Sequence, residues 1–278
     1  MAYPKAKLDG KTIALTGAGS GIGRALAQLL SSKGVRLALA DKDAATLAET
    51  SKLLGNYPHS TTVLDVSDDI GVKAWIDAAA TEFGGLDGVI NNAGLTVMGA
   101  FVDTPKSDFD RVMSVNFEGV VSGCRHALPH LRGGKEAWVV NVSSVFGMMG
   151  YPGQASYNAS KFAVRGLSEA LHLELAETDP AIRVVRVHPG GIKTNVVRNA
   201  KFAGNMPVPG SFEHADSFEA AARTTAPEAA RVIVDGMENG DHRVLIGADA
   251  RMIDRIVRIF PTTYFKHIGR FLRQKAKS

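Results

Sequence analysis

From Lys11 onward the chain alternates compact apolar runs with longer amphipathic stretches. TIALT, VRLALA, TTVL, LDGVIN, AWVVNV, IRVVRVH and RVLIG carry apolar residues at consecutive positions, the pattern of strands buried on both faces. Between them the apolar positions recur with helical period, as in GRALAQLLSSKG, which Gly34 should end, and in GVKAWIDAAATEFGG. Strands separated by helices cannot pair as hairpins. The pattern therefore predicts seven parallel strands with helices on both faces, a doubly wound α/β fold. No internal repeat and no low-complexity tract interrupts it. We expect one domain over residues 1–250, with 251–278 as a basic amphipathic extension of it.

Composition narrows the class. The chain has 278 residues, 45% hydrophobic and 22% charged, ordinary for a folded protein with a sizeable core. The single cysteine, Cys124, excludes an internal disulfide and offers no metal cluster. The first residues lack a signal-like apolar stretch, and nowhere do 18 apolar residues run together, so a cytoplasmic protein is expected. A net charge of +4, dispersed along the chain, gives no argument for nucleic acid.

In a doubly wound sheet, ligands bind beyond the carboxyl ends of the strands, and polar motifs fall there. TGAGSGIGRA follows the first strand. Its glycines let the backbone turn and let a pyrophosphate approach the amides at a helix N-terminus. Ile22 stands where the common G-x-G-x-x-G fingerprint needs glycine, so the better description is T-G-x-x-x-G-x-G through Thr16, Gly17, Gly21 and Gly23. Asp41, at the end of the second strand, can bind an adenosine ribose and repel a 2′-phosphate; its other reading is a helix N-cap. LDVSD places Asp65 after the third strand, NNAG places Asn91 to Gly94 after the fourth, NVSS places Ser143 and Ser144 after the fifth, and HPGGIKT places Pro189 to Thr194 after the sixth.

SYNASK adds a chemical pair. Tyr157 and Lys161 stand four apart in a helical run, hence one turn apart on one face. A charge about 4 Å from the phenol is worth roughly 4 kcal/mol at an effective dielectric near 20, or about three pKa units. Such a tyrosine serves as a general acid or base near neutral pH.

In combination these motifs resemble those of the one-domain short-chain dehydrogenases/reductases, which carry TGxxxGIG, NNAG, NVSS, YNASK and PGxxxT in this order, a doubly wound (Rossmann-type) fold. The likeness spans roughly residues 10–250. It implies that Tyr157 is the proton donor and acceptor, that Lys161 lowers its pKa and binds the nicotinamide ribose, that Ser144 rather than Ser143 binds the substrate oxygen, and that Asn116 supports a proton relay. Cofactor contacts are expected from Gly17, Ser20, Gly21, Ile22, Gly23, Asp41, Lys42, Asp65, Val66, Asn92, Ala93, Gly94, Tyr157, Lys161, Pro189, Gly190, Ile192 and Thr194. Asp41 and Ser20 favour NAD(H); Lys42, a cation beside that aspartate, keeps NADP(H) as the second candidate.

Competing chemistries fare worse. His126 and His130 have a metal-binding spacing, but HALPH lacks the glutamate of a zinc protease and contains Pro129, so no metal is expected. Neither Ser143 nor Ser144 sits in the G-x-S-x-G elbow of a hydrolase. A non-catalytic dinucleotide-binding regulator is the alternative, and the intact Asn116, Ser144, Tyr157 and Lys161 argue against it.

Relatives pair the helices holding Phe109 to Leu131 and Ala155 to Thr178 across subunits, which implies a homodimer or homotetramer. The tail past RVLIG has three readings: a helix over the substrate cleft or a neighbouring subunit, a membrane-surface anchor, or a disordered end. The first is favoured, because Pro261 breaks the long helix a simple anchor would use. Finally, LTVMGAF and VFGMMGY are apolar, methionine-rich and free of Lys and Arg, and the Gly/Pro-containing 195–220 stretch resembles a lid. We expect an uncharged, largely apolar alcohol or ketone, lipid-, retinoid- or steroid-like. The competing view is that those side chains only pack the core.

Overall fold

The computed structural model describes residues 5–194, 200–204 and 222–268. Seven strands form one sheet: β1 (Thr12–Thr16), β2 (Arg36–Asp41), β3 (His59–Val63), β4 (Gly88–Asn91), β5 (Ala137–Val142), β6 (Ile182–Pro189) and β7 (Arg243–Ile246). They lie in the order β7-β6-β5-β4-β1-β2-β3, every pair parallel. This is the doubly wound fold expected, and the strand order reverses between β1 and β4. Each expected strand is present, β1 and β5 with the expected ends and the others shifted by one or two residues, such as β3, which begins at His59 rather than Thr61.

Successive side chains on a strand point to opposite faces, so consecutive apolar positions feed two cores. Ile13 and Leu15 of β1, Trp138 and Val140 of β5, and Val185 and Val187 of β6 enter one core, with helices α1 (Gly21–Ser32) and α7 (Ala226–Asn239). Ala14, Val139 and Val184 enter the other, under α3 (Asp69–Phe83), α5 (Gly119–Leu131) and α6 (Ala155–Thr178). The indole of Trp138 donates to the Met237 carbonyl at 3.1 Å, so its one polar atom is satisfied. Gly34, with φ 80°, follows the last turn of α1 as expected.

The second core contains a polar chain. Asn91 Nδ2 donates to Asn141 Oδ1 at 2.9 Å, Asn141 Nδ2 donates to Ser168 Oγ at 3.0 Å, and Ser168 donates to the Val164 carbonyl at 2.7 Å. It runs from the middle of the sheet to α6, the helix that carries Tyr157 and Lys161. Helix α2 (Ala44–Leu54) follows β2, and α4 (Lys106–Met113) reaches α5 through a π turn, Ser114–Glu118, that contains Asn116. Pro129 is tolerated in the last turn of α5. His126 and His130 meet Asp69 at 2.9 Å and Asp77 at 2.7 Å on α3. No described helix is long and apolar enough to cross a membrane.

The C-terminal part forms α8 (Ala248–Ile259) and a short continuation. Ala250, Ile253 and Ile268 pack on Val145, Met148, Met149 and Tyr151, the loop that follows β5. The Tyr264 hydroxyl accepts from the Gly150 amide at 2.9 Å. Arg243 at the start of β7 pairs with Asp254 of α8 and reaches the Met148 sulfur at 3.2 Å. Thus the extension covers the segment after Ser144. Residues 269–278 of the extension lie outside the described residues, as does most of the 195–220 stretch.

Candidate active site

At the reversal point, two loops leave β1 and β4 and are stitched together by Thr16 and Asn92. The Thr16 hydroxyl accepts from the amides of Asn92 and Ala93, at 3.0 and 3.1 Å, and faces the Ile90 carbonyl at 3.4 Å. Asn92 Nδ2 donates to the carbonyls of Thr16 and Gly17, both at 3.1 Å. This closeness explains two glycines. A Cβ on Gly17, which has φ +67°, would lie 2.8 Å from Asn92 Nδ2, and one on Gly23 would lie 1.9 Å from the Gly17 carbonyl oxygen. The result is a backbone cradle at the N-terminus of α1, suited to an anion.

Around the cradle, the expected cofactor residues are placed as follows. Asp41 Oδ2 accepts from the Gly19 amide at 2.8 Å and Oδ1 accepts from the Asp43 amide at 3.0 Å. Its N-cap reading is overturned, because Asp43 caps α2 by accepting from Ala45 and Thr46. Ser20 is exposed at the N-cap of α1, Ile22 packs against the first core, and Lys42 is exposed. Thr194 comes up to Gly21, where an added Cβ would lie 3.2 Å from its methyl. Pro189 ends β6, Gly190 donates to the Ile246 carbonyl at 3.0 Å, and Ile192 is buried. Asp65 is exposed and accepts from the Ser67 amide at 3.0 Å and hydroxyl at 2.7 Å. Burial opposes its charge, yet those two bonds hold its pKa below the ordinary value. Val66 packs against Gly119.

The reactive groups gather on the neighbouring strand ends. Ser143 and Ser144 separate clearly: Ser143 donates to the Lys161 carbonyl at 2.8 Å, whereas Ser144 Oγ accepts from the Phe146 amide at 3.1 Å and is near enough to Tyr157 to pull its pKa down. Lys161 is buried and donates to the Val142 carbonyl at 2.9 Å, its Nζ 5.6 Å from the centre of the Tyr157 ring. Asn116 accepts from the Leu95 amide at 2.8 Å and donates to the Leu95 carbonyl at 2.9 Å and to Ser160 Oγ at 3.1 Å. A Cβ on Gly94 would lie 3.3 Å from Asn116 Oδ1 and 3.5 Å from Lys161 Nζ. Thus Gly94 lets both side chains approach the same point.

Electrostatics here depart from the sequence expectation. Burial raises the Tyr157 pKa, against a smaller downward pull from Ser144. Burial also lowers Lys161 to about 8. The ammonium donates to the Val142 carbonyl, and in the protein by itself desolvation of the phenol outweighs the expected lowering. A second correction concerns the methionines: Met98, Met148 and Met149 are buried in packing, while Leu95 and Phe146 remain partly exposed beside Asn116 and Tyr157.

Sequence reasoning missed several positioning groups. Asp249 accepts from the Gly191 amide at 2.7 Å, and its place just after the last strand was the available signal. Asn158 donates to the carbonyls of Phe146 and Met149, at 2.8 and 2.7 Å. Thr96 donates to Gln154 at 2.7 Å. Arg24 is tied to the Gly19 carbonyl and to Glu49. His188, fully buried, donates from Nδ1 to the Ser144 carbonyl at 3.0 Å, while its Nε2 has no partner.

A doubly wound sheet with a glycine cradle and a Ser-Tyr-Lys cluster at its carboxyl edge defines a dinucleotide-binding oxidoreductase class. A family model described as short chain dehydrogenase matches residues 11–203, and the chain belongs to that family. SadH of Mycobacterium tuberculosis, named as an oxidoreductase, is 42% identical over 260 residues, 92% of this chain and 93% of its own. The 3-ketodihydrosphingosine reductase of Bacteroides thetaiotaomicron is 36% identical over 67% of this chain and 66% of its own. A short-chain dehydrogenase/reductase from Burkholderia phymatum, solved in complex with NAD, superposes with a TM-score of 0.83 at 29% identity, covering 91% of this chain and 94% of that one.

His188 makes acid stability a test of this geometry. Burial lowers its pKa from 6.5 to about 4, so below pH 6.5 the unfolded chain takes up a proton that the folded protein refuses. Stability is therefore lost as the pH falls from 6.5 toward 4, by up to about 3 kcal/mol from this residue. His188→Asn keeps a donor for the Ser144 carbonyl and removes the titration. In urea unfolding at pH 7 and pH 4.5, the variant should lose less stability than the parent; equal losses would remove His188 as the cause.

Proposed function

We propose that the chain is an NAD(H)-dependent oxidoreductase that interconverts an alcohol and a carbonyl, with Tyr157 as general acid and base at the substrate oxygen. The observation that carries this reading is the meeting of Ser144, Tyr157, Lys161 and Asn116 beside the Gly17–Gly23 cradle. The cradle suits the cofactor: Gly17, Ser20, Gly21, Ile22 and Gly23 would hold the pyrophosphate, Asp41, Lys42, Asp65 and Val66 the adenosine end, and Asn92, Ala93, Gly94, Pro189, Gly190, Ile192 and Thr194 the nicotinamide end, with Tyr157 and Lys161 on its ribose. When bound, the nicotinamide accepts or supplies the hydride of the carbinol carbon.

The residues around it handle the proton. In oxidation the Tyr157 phenolate takes the alcohol proton; in reduction the phenol returns it, and Ser144 donates a hydrogen bond to the oxygen where charge develops. Lys161 is cationic below about pH 8, and this charge favours phenolate formation. Asn116 fastens the π turn to Leu95 and Ser160, and it supports passage of the proton onward to solvent. The subunits pair through the helices holding Phe109 to Leu131 and Ala155 to Thr178, the second of which exposes Phe162 and Leu173, as a homodimer or homotetramer acting in the cytoplasm.

Partly exposed Leu95 and Phe146 flank the reactive groups, and LTVMGAF and VFGMMGY carry no cation. The substrate is therefore an uncharged, apolar alcohol or ketone of lipid-, retinoid- or steroid-like character. The keto group in the name of the Bacteroides thetaiotaomicron reductase accords with a carbonyl substrate.

Three measurements test it. Tyr157→Phe keeps the ring and removes its oxygen, so kcat should fall at least about 100-fold with NADH binding kept; near-normal turnover would refute the mechanism. For the cofactor, Asp41 repels a 2′-phosphate and Arg24 is engaged with Glu49, so kcat/KM should be higher with NADH than with NADPH. The reverse preference would show that Lys42 dominates. For the substrate, kcat/KM with NAD+ should rise with apolar size across graded alcohols, by about 1 to 3 kcal/mol per methylene where the pocket is filled. A win for anionic alcohols would overturn the pocket assignment.

A further inference from the structure

Helix α8 has two faces with different fates. At about 100° per residue, Ala250, Ile253 and Val257 turn toward the Val145–Tyr151 loop. Arg251, Arg255, Arg258 and Ile259 fall within an arc of about 100° on the other side, and all four are exposed, Ile259 at 68%. The helix carboxylates meet this stripe only at Arg258. Asp249 is committed to the Gly191 amide, and Asp254 is shared between Arg243 and Arg258.

Beyond α8 the chain folds into a corner. The amides of Thr263 and Tyr264 donate to the Phe260 carbonyl, at 3.2 and 2.9 Å, around Pro261. Phe260, stacked on His267, and Phe265 are each 40% exposed there, beside exposed Lys266. Three large apolar side chains thus lie exposed at the end of α8 and in the corner after it, with Lys266 in the same corner and the arginine stripe on the helix leading to it. Tyr264, within the same corner, is anchored to Gly150, so the turn is held to the body of the protein.

We propose that this corner is a membrane-surface contact: Ile259, Phe260 and Phe265 enter the boundary between headgroups and acyl chains of an anionic bilayer, and the arginine stripe lies over its phosphates. Arginines adjoining apolar tips match that interface in both charge and depth. A second copy of the chain is a poorer occupant, since a two-fold contact would set the stripe against itself. Nucleic acid would use the arginines and leave Ile259 unaccounted for. Pro261, which argued against a long helix lying in the bilayer plane, here makes the projecting corner. The proposal does not depend on the reaction assigned above.

Cosedimentation of the full chain tests it, with phosphatidylcholine vesicles made with and without about a third phosphatidylserine. The protein should sediment with the anionic vesicles, weaken as salt is added, and remain in solution with phosphatidylcholine alone. The double variants Ile259→Glu with Phe265→Glu, and Arg251→Glu with Arg255→Glu, should each partition at least about tenfold more weakly, with thermal unfolding midpoints near the parent's. Failure of the parent to sediment with anionic vesicles overturns the proposal, and so does parent-like sedimentation of both variants. Loss of a vesicle-free oligomer in the variants, or retention by duplex DNA without vesicle binding, would assign the surface to those partners and overturn it equally.

Discussion

Where β1 and β4 part, their chains leave for opposite faces of the sheet, and something must hold the gap at a fixed width. The bonds of Thr16 and Asn92 do this. They set the Gly17 carbonyl, which in turn sets how closely α1 can begin, and they place Ala93 and Gly94 next to the cradle. From Gly94 the geometry passes to Asn116 and Lys161, which both approach within about 3.5 Å of where its Cβ would stand. A small polar stitch in the middle of a large apolar sheet thus aligns groups that lie far apart in sequence.

Helix α6, which carries Tyr157 and Lys161, is registered from below as well. Asn91, Asn141 and Ser168 form hydrogen bonds in a region where unpaired polar atoms are costly. A wholly apolar contact would let α6 slide by a fraction of a turn; directional bonds resist that. Ser143 adds a second restraint by donating to the Lys161 carbonyl. The two adjacent serines therefore divide the work, one fixing the helix and the other facing Tyr157.

Much of this was legible in the sequence, for definite reasons. Consecutive apolar positions in AWVVNV could fill two cores only in a strand covered on both sides, so the sheet could be read directly. The glycine spacing and the Tyr157–Lys161 pair were visible because they are local. What escaped was non-local or energetic. Nothing in HPGG indicates that His188 reaches the Ser144 carbonyl, since that contact depends on β5 and β6 being neighbours. The Tyr157 pKa was misread because spacing gives the approach of a charge and not the cost of burying it. Composition does not tell which side of a loop a residue faces, so whether Met148 and Met149 line a cleft or pack the core becomes visible only in the fold, where they are buried.

The bond between Gly150 and Tyr264 spans 114 positions of sequence, and this has a consequence for synthesis. The ribosome releases the Val145–Tyr151 loop long before its cover. At about 5–20 residues per second, roughly 5 to 20 seconds pass before the segment that packs on Val145, Met148 and Met149 is made. During that interval the half-made chain displays an adhesive apolar patch at the mouth of its own site, and its solubility falls to whatever shields that patch until residues 248–268 emerge.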